Sequence, residues 1–329
     1  MVSGARRGVY QDLWGRSISA FLTSTRTWIR VVQCGTGNHS SPGLTEQTLV
    51  WVQAQVGGHV TVTGIRSLHD GESPWWINLR SPGGSSSALV LRTPSGRIGP
   101  DQLATNAAAL AVAAKYGLPA PRLLGTDFDG RDAGVPVTLE TVIAGTSRWP
   151  AKGSSGLLRA AGAVMAQVHR FALAPRTHLP FRPRPIAIDD FAQERRLGRM
   201  PTTALLQLAH ERVQAIPAPD EPVVFVHGDV WPGNTVIVDA RVHALIDWKT
   251  AGVGNPGVDL GELRKQVAIL YGHDAPKYVL HGWERASDAR AADVPYWDAV
   301  AALNTPTESY SPLAADRRDE FLSAAMAQL

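Results

Sequence analysis

Val223-Val224-Phe225-Val226-His227-Gly228-Asp229-Val230-Trp231-Pro232-Gly233-Asn234, followed shortly by Ala244-Leu245-Ile246-Asp247-Trp248, is the stretch on which the reading of this chain turns. Asp229 and Asp247 each close a short apolar run that reads as a strand. A carboxylate in such a place must be solvated or paired, because a buried unpaired charge is costly. A shared cation would relieve that cost. Asn234 and Asp247 offer hard oxygen ligands, and a magnesium ion takes one or two such groups while phosphates and water complete its shell. Asp229 is then free to orient a hydroxyl.

Upstream, residues 59–94 alternate in the manner of strands: His59 to Ile65, Trp75 to Leu79 and Ala88 to Arg92, joined by the turn-rich Asp70-Gly71-Glu72-Ser73-Pro74 and Ser81 to Ser87. An antiparallel meander is the simplest topology. The alanine-rich Asp101 to Tyr116 reads as a helix stopped by Gly117, and two more strands fit Arg122 to Asp127 and Val135 to Val142. Beyond Gly145 helical spacing takes over, in Leu157 to Phe171, Met200 to Val213 and from Leu260 onward. A helix-like segment, Leu44 to Val56, precedes the strands. These patterns divide the chain into residues 44–144 and residues 145–329. Residues 1–43 form an N-terminal extension rich in Ser, Thr, Arg and Gly, for which a disordered tail, an upstream start codon and a targeting segment are the competing readings.

The composition narrows the function. With 329 residues, 44% hydrophobic and 19% charged, the chain is long enough for two lobes and is not a disordered polymer. No apolar run approaches the roughly 20 residues needed to cross a bilayer. The single cysteine, Cys34, cannot form an internal disulfide, so a cytoplasmic location is expected. The net charge of +3 is concentrated in residues 1–43, where five arginines face one acid; the remainder carries 27 basic and 28 acidic residues. Neither a nucleic acid nor a membrane partner is expected from this, and no obligate protein partner is evident.

The spacing from Asp229 to Asn234 is that of the protein-kinase catalytic loop, in which the aspartate orients the acceptor and the asparagine binds metal. The fuller string is more specific. His227-Gly228-Asp229 with Asn234, then Ile246-Asp247-Trp248, then Gly254-Asn255-Pro256 with Asp259-Leu260, resembles the signature of the aminoglycoside phosphotransferase and choline kinase family. From about residue 44 to the C-terminus the order of elements is similar too. The resemblance implies an α+β, bilobal protein kinase-like fold, with a five-stranded antiparallel N-lobe that binds nucleotide and a mainly helical C-lobe for catalysis and acceptor binding. It implies a magnesium-dependent kinase that moves the γ-phosphate of ATP, or of GTP, to a hydroxyl of a small molecule. Asp229 would be the catalytic residue, Asn234 and Asp247 the Mg2+ ligands, and Asp259 a brace for the loop. Arg92 would anchor the phosphates, Gly71 and Ser73 would lie over them, and backbone groups of Glu140 and Val142 would hold the base.

Two departures from the family pattern stand out. The helix after the third strand usually carries a glutamate that pairs with the anchoring cation, whereas here the corresponding place holds Asn106, and no acid lies between Asp101 and Asp127. That gap motivates a second reading, a nucleotide-binding pseudokinase with a regulatory or scaffolding role. Lys249 and Asn255 stand where acids are common, and neither is expected to bind metal.

Overall fold

The computed structural model describes residues 44–96, 98–309 and 311–329, so the N-terminal extension and Cys34 lie outside the described residues. Helix α1 (Glu46–Gln55) starts where the Thr45 hydroxyl caps it by accepting from Thr48 N. Strands β1 (Thr61–His69), β2 (Glu72–Arg80) and β3 (Ser86–Arg92) follow, then α2 (Pro100–Tyr116), β4 (Leu123–Asp127) and β5 (Val137–Thr141). The five strands form one antiparallel sheet in the order β1-β2-β3-β5-β4: the first three make the expected meander, and the five-stranded sheet is the one the family resemblance implies. Its buried face carries Trp75, Ile77, Leu79, Leu89, Leu91, Val137 and Leu139, against which α1 lays Trp51 and Val52. Alternation then turns Val90, Arg92 and their cross-strand partners to the other face.

The rest of the chain is mainly helical. Helix α3 (Ser155–His169), α4 (Phe191–Arg196) and α5 (Ala204–Gln214) precede four short strands. β6 (Val224–Val226) pairs antiparallel with β9 (Gly252–Gly254), and β7 (Thr235–Val238) pairs with β8 (Arg241–Leu245). Helices α6 (Gly257–Tyr271), α7 (Pro276–Ser287), α8 (Val294–Leu303) and α9 (Pro312–Met326) complete the fold. A large core joins α3, α6 and α7 to the strands through residues such as Val164, Phe225, Trp248, Leu263 and Trp283. Trp248 stacks on Phe225 at 5.4 Å, which fixes the backbone of the two motif strands relative to each other. No helix among the described residues is long and apolar enough to cross a membrane.

Candidate active site

β6 ends at Val226, and the next residues turn sharply. Gly228 has φ 81, and a Cβ there would lie 2.3 Å from Thr250 O, so only glycine allows the loop to pass so close to its neighbour. The freed amides need acceptors, and Asp259 at the start of α6 supplies them. Its Oδ2 accepts from His227 N at 2.8 Å and its Oδ1 from Gly228 N at 2.7 Å. His169 Nε2 donates to Asp259 Oδ2 at 3.0 Å, while His169 Nδ1 accepts from Trp283 Nε1 at 2.9 Å. Burial opposes the charge on Asp259, but these donors outweigh it and hold the carboxyl below its usual range. The expected brace is therefore a three-donor cradle, and His169 is a buried support.

His227 is locked in one tautomer. Its Nε2 donates to Ile246 O at 3.0 Å and its Nδ1 accepts from Asp229 N at 3.3 Å. Burial lowers its pKa, so it stays neutral and structural. Asp229 then projects beside the short 3-10 turn Pro232–Asn234. Asn234 Nδ2 donates to Asp229 O at 2.9 Å and to Asp229 Oδ2 at 3.1 Å. Two oxygen acceptors fix the orientation of that amide, and among the described residues no donor reaches its Oδ1. Burial pushes the Asp229 carboxyl up to about 7, against the pull of Lys249.

Asp247 follows β8 with φ 67, a left-handed conformation that Asp tolerates. Its Oδ1 accepts from Arg92 Nη1 at 2.8 Å, and its Oδ2 pairs with Lys249 Nζ. Lys249 Nζ also lies 4.0 Å from Asp229 Oδ2. Burial alone would raise the Asp247 pKa; the Lys249 ammonium and the Arg92 guanidinium outweigh it and hold the carboxyl well below the usual range. The structure thus brings Arg92, Asp229, Asn234 and Asp247 together from distant parts of the chain. It also adds Lys249, which the sequence reading set aside.

Glu140 differs from its expected role. Thr141 N donates to Arg122 O on the β4 side at 2.9 Å, so the alternation of an antiparallel strand turns the Glu140 backbone groups toward β3, inside the ladder. The backbone of Glu140 is not free to hold a base. Its side chain is the group that enters the site, with Oε1 accepting from Arg92 Nε at 3.2 Å and Nη2 at 2.9 Å. Oε2 accepts from Asn106 Nδ2 at 2.9 Å, and Asn106 Oδ1 accepts from Trp248 N at 3.1 Å. The acid missing from α2 is therefore supplied by β5, and Asn106 carries the network onward to the second motif. One signal in the sequence could have found it: with β3 and β5 in register, Arg92 and Glu140 become diagonal neighbours on one face.

Gly71 and Ser73 occupy the β1–β2 connection in different ways. Asp70 and Gly71, with φ 46 and 88, form the tight two-residue turn, and Gly71 N donates to Ser67 Oγ at 3.0 Å. Ser73 is buried in β2, where its Oγ accepts from Thr93 N at 2.9 Å and thereby steadies the end of β3 beside Arg92. Val142 lies just past β5 and is half-buried. The aromatic residues Trp283, Tyr296 and Trp297 of α7 and α8 are core, and Asp298 is paired with Arg264 at 2.8 Å.

The chain matches the model of the phosphotransferase enzyme family over residues 64–303, well over half its length. No curated protein sequence matches it. Among solved structures it is similar to macrolide 2'-phosphotransferase MphH from Brachybacterium faecium, at 19% identity and TM-score 0.55, over 85% of this chain and 98% of that one. It is also similar to a macrolide 2'-phosphotransferase type I, at 22% identity and TM-score 0.53, over 85% and 95% of the two chains. A thermostable mutant of aminoglycoside phosphotransferase APH(4)-Ia shares 16% identity at TM-score 0.57, over 86% and 99%. At these identities the structures speak for the fold, which is the kinase-like fold expected from the motifs. The length of the family match carries the further step: the chain belongs to the phosphotransferase enzyme family.

Proposed function

We propose that the protein transfers the γ-phosphoryl group of ATP, or of GTP, to a hydroxyl of a small molecule, with Mg2+ as the metal and the cytoplasm as its place of work. Residues 44–144 would form the nucleotide-binding lobe and residues 145–329 the catalytic and acceptor-binding lobe. One observation carries the reading: the partly buried Asp229 carboxyl and the Asn234 amide are fixed to each other within reach of Asp247, where Arg92 arrives from the other lobe.

Asp229 is the catalytic residue in this reading. It would orient the attacking hydroxyl and take its proton late, since phosphoryl transfer depends mainly on positioning and charge neutralisation. Asn234 Oδ1, without a donor among the described residues, and a carboxylate oxygen of Asp247 are hard donors that suit Mg2+. When bound, the ion would neutralise charge developing on the phosphates. Arg92 is the phosphate-anchoring cation, and a guanidinium held by Glu140 on one edge keeps its geometry without relying on a shifted pKa. The Gly71 turn would cover the phosphates, and Ser73 would support β3 beneath them. Backbone groups just past β5, at Val142, would hold the base. Glu140 standing in for the missing helix acid favours catalysis over the pseudokinase reading.

The test is transfer from labelled ATP with Mg2+ to a panel of aminoglycosides, macrolides, amino alcohols and sugars, with Asp229→Ala beside the wild type. Acceptor-dependent transfer is expected, lowered in the variant by about 1,000-fold or more with nucleotide affinity nearly unchanged. A variant that turns over normally removes Asp229 from the mechanism. Arg92→Ala is expected to raise the apparent nucleotide constant, and no change would return Arg92 to a structural role.

A further inference from the structure

In the family that this chain resembles, an acid commonly follows the Asp-Trp pair; here Lys249 does. Its ammonium pairs with Asp247 Oδ2 and reaches to 4.0 Å from Asp229 Oδ2, so it lies between the two carboxylates of the site. The other Asp247 oxygen is held by Arg92. Both oxygens of Asp247 therefore already have a cation of the protein's own. Around them three carboxylates, Glu140, Asp229 and Asp247, face two cations, Arg92 and Lys249. An acid at position 249 would have left four carboxylates against one cation. Lys249 also has somewhere to go: it lines a cavity of about 330 Å3 bounded by Asp101, Gln102 and Thr105 of α2, by Arg182 and by Thr250. Its flexible stem can leave Asp247 without repacking the core.

We propose that Lys249 is a built-in rival of the metal ion for Asp247, one that excludes free divalent cations and yields when a nucleoside triphosphate arrives with the metal. The inference rests on the phosphotransferase reading of the site. Free metal must displace the lysine from Asp247 with only Asp229, 4.0 Å away, and Asp101, on the cavity wall, to turn to. A triphosphate changes that balance, since its oxygens offer the ammonium a new partner while the metal takes Asp247. Metal and nucleotide binding are then strongly coupled, and by thermodynamic reciprocity each tightens the other by the same factor. An aspartate or glutamate at position 249 has no such effect.

The experiment titrates the full-length protein with Mn2+, following free ion by electron paramagnetic resonance, with and without a non-hydrolysable β,γ-imido analogue of ATP. In the wild type Mn2+ alone is expected to bind weakly and to tighten strongly with the analogue. Lys249→Met is expected to tighten Mn2+ alone by about ten-fold and to lower the coupling by a similar factor, whereas Lys249→Arg, which keeps the charge, stays near the wild type. Lys249→Gln serves as the neutral variant if the Met protein does not fold by circular dichroism. Coupling within two-fold of the wild type in the neutral variant overturns the proposal, and so does an Arg variant that behaves like the neutral one. Nucleotide and Mn2+ binding independently in the wild type would sink the role of Lys249 and leave the transferase reading standing. No nucleotide binding at all would sink both.

Discussion

Two carboxylates organise this site, and they are built differently. Asp259 sits under the loop from His227 to Asn234 and is surrounded by donors of the same lobe: two loop amides and the His169 ring. Glu140 sits beside Arg92, the proposed phosphate anchor, and links Arg92 on β3, Asn106 on α2 and, through Asn106, the backbone of Trp248 in the other lobe. The first is a local cradle whose pieces are fixed by a sequence motif. The second is a bridge between elements, and its acid has moved from a helix to a strand while the charge pairing is kept. The chemistry demands an anion beside the anchoring cation; which element carries it is open to change, provided that the register brings the two side chains to one face.

Breaking the cradle should have the larger effect. Asp259→Ala leaves three buried donors unpaired, each at about 1–3 kcal/mol, so a stability loss above about 3 kcal/mol is expected together with loss of transfer activity. Chemical denaturation and an activity assay check this, and a loss below 1 kcal/mol would show that water replaces the cradle. Breaking the bridge should act more on nucleotide than on fold. Glu140→Ala is expected to weaken nucleotide binding by about ten-fold or more, because Arg92 keeps Asp247 but loses the partner that sets its plane. The double change Glu140→Gln with Asn106→Glu, which returns the acid to α2, should recover part of that affinity in a calorimetric titration. If it recovers none, the position of the acid matters and the comparison above is wrong in its main lesson.

A pH experiment sharpens the contrast between buried carboxyls. Burial raises the Asp229 pKa in the folded state to about 7 from 3.8 when unfolded, so the folded state binds the extra proton between these values. Its contribution to stability is fully present at low pH and is lost as pH rises through about 7. With a chelator present, the melting temperature of the wild type should therefore rise relative to Asp229→Asn between pH 8 and pH 5. His227 acts in the opposite direction, being neutral when buried, but it is common to both proteins and leaves the difference intact. A difference that does not vary with pH would mean that Asp229 is solvated. The smallest effect belongs to the turn side of the N-lobe: Ser73→Ala deprives Thr93 N of its acceptor and should lower stability by about 1–2 kcal/mol with nucleotide affinity changed by less than about three-fold. A large loss of affinity without a loss of stability would give Ser73 a direct contact with phosphate.

Much of the fold was legible because its signals are local. Alternation in Trp75 to Leu79 and Ala88 to Arg92, the glycine stop after Tyr116 and the helical spacing of residues 157–171 each follow from one residue's neighbours. Strand β9 was not legible, since Gly252-Val253-Gly254 holds one strand former between two glycines; it forms because β6 pairs with it, and Gly252 lets Pro180 O approach closely. Strand β1 also runs on to His69, past the expected Ile65, because β2 supplies partners as far as Glu72. Likewise Asp229, Asn234 and Asp247 could be singled out from motif spacing, while the Glu140 side chain could be placed beside Arg92 only once the register of β3 and β5 was known, and Lys249 gave no such signal.

The sequence by itself determined the family and the order of most elements, and it singled out the loop from His227 to Asn234, because motif spacing encodes a loop whose groups lie within a few residues of one another. Only the tertiary structure decided which side chains complete the site. Arg92, Glu140 and Asn106 meet through strand register and helix packing, and Lys249 reaches both carboxylates because Asp247 takes a left-handed turn. Charge pairing acts across space, and the distances that govern it are set by the fold of the whole chain.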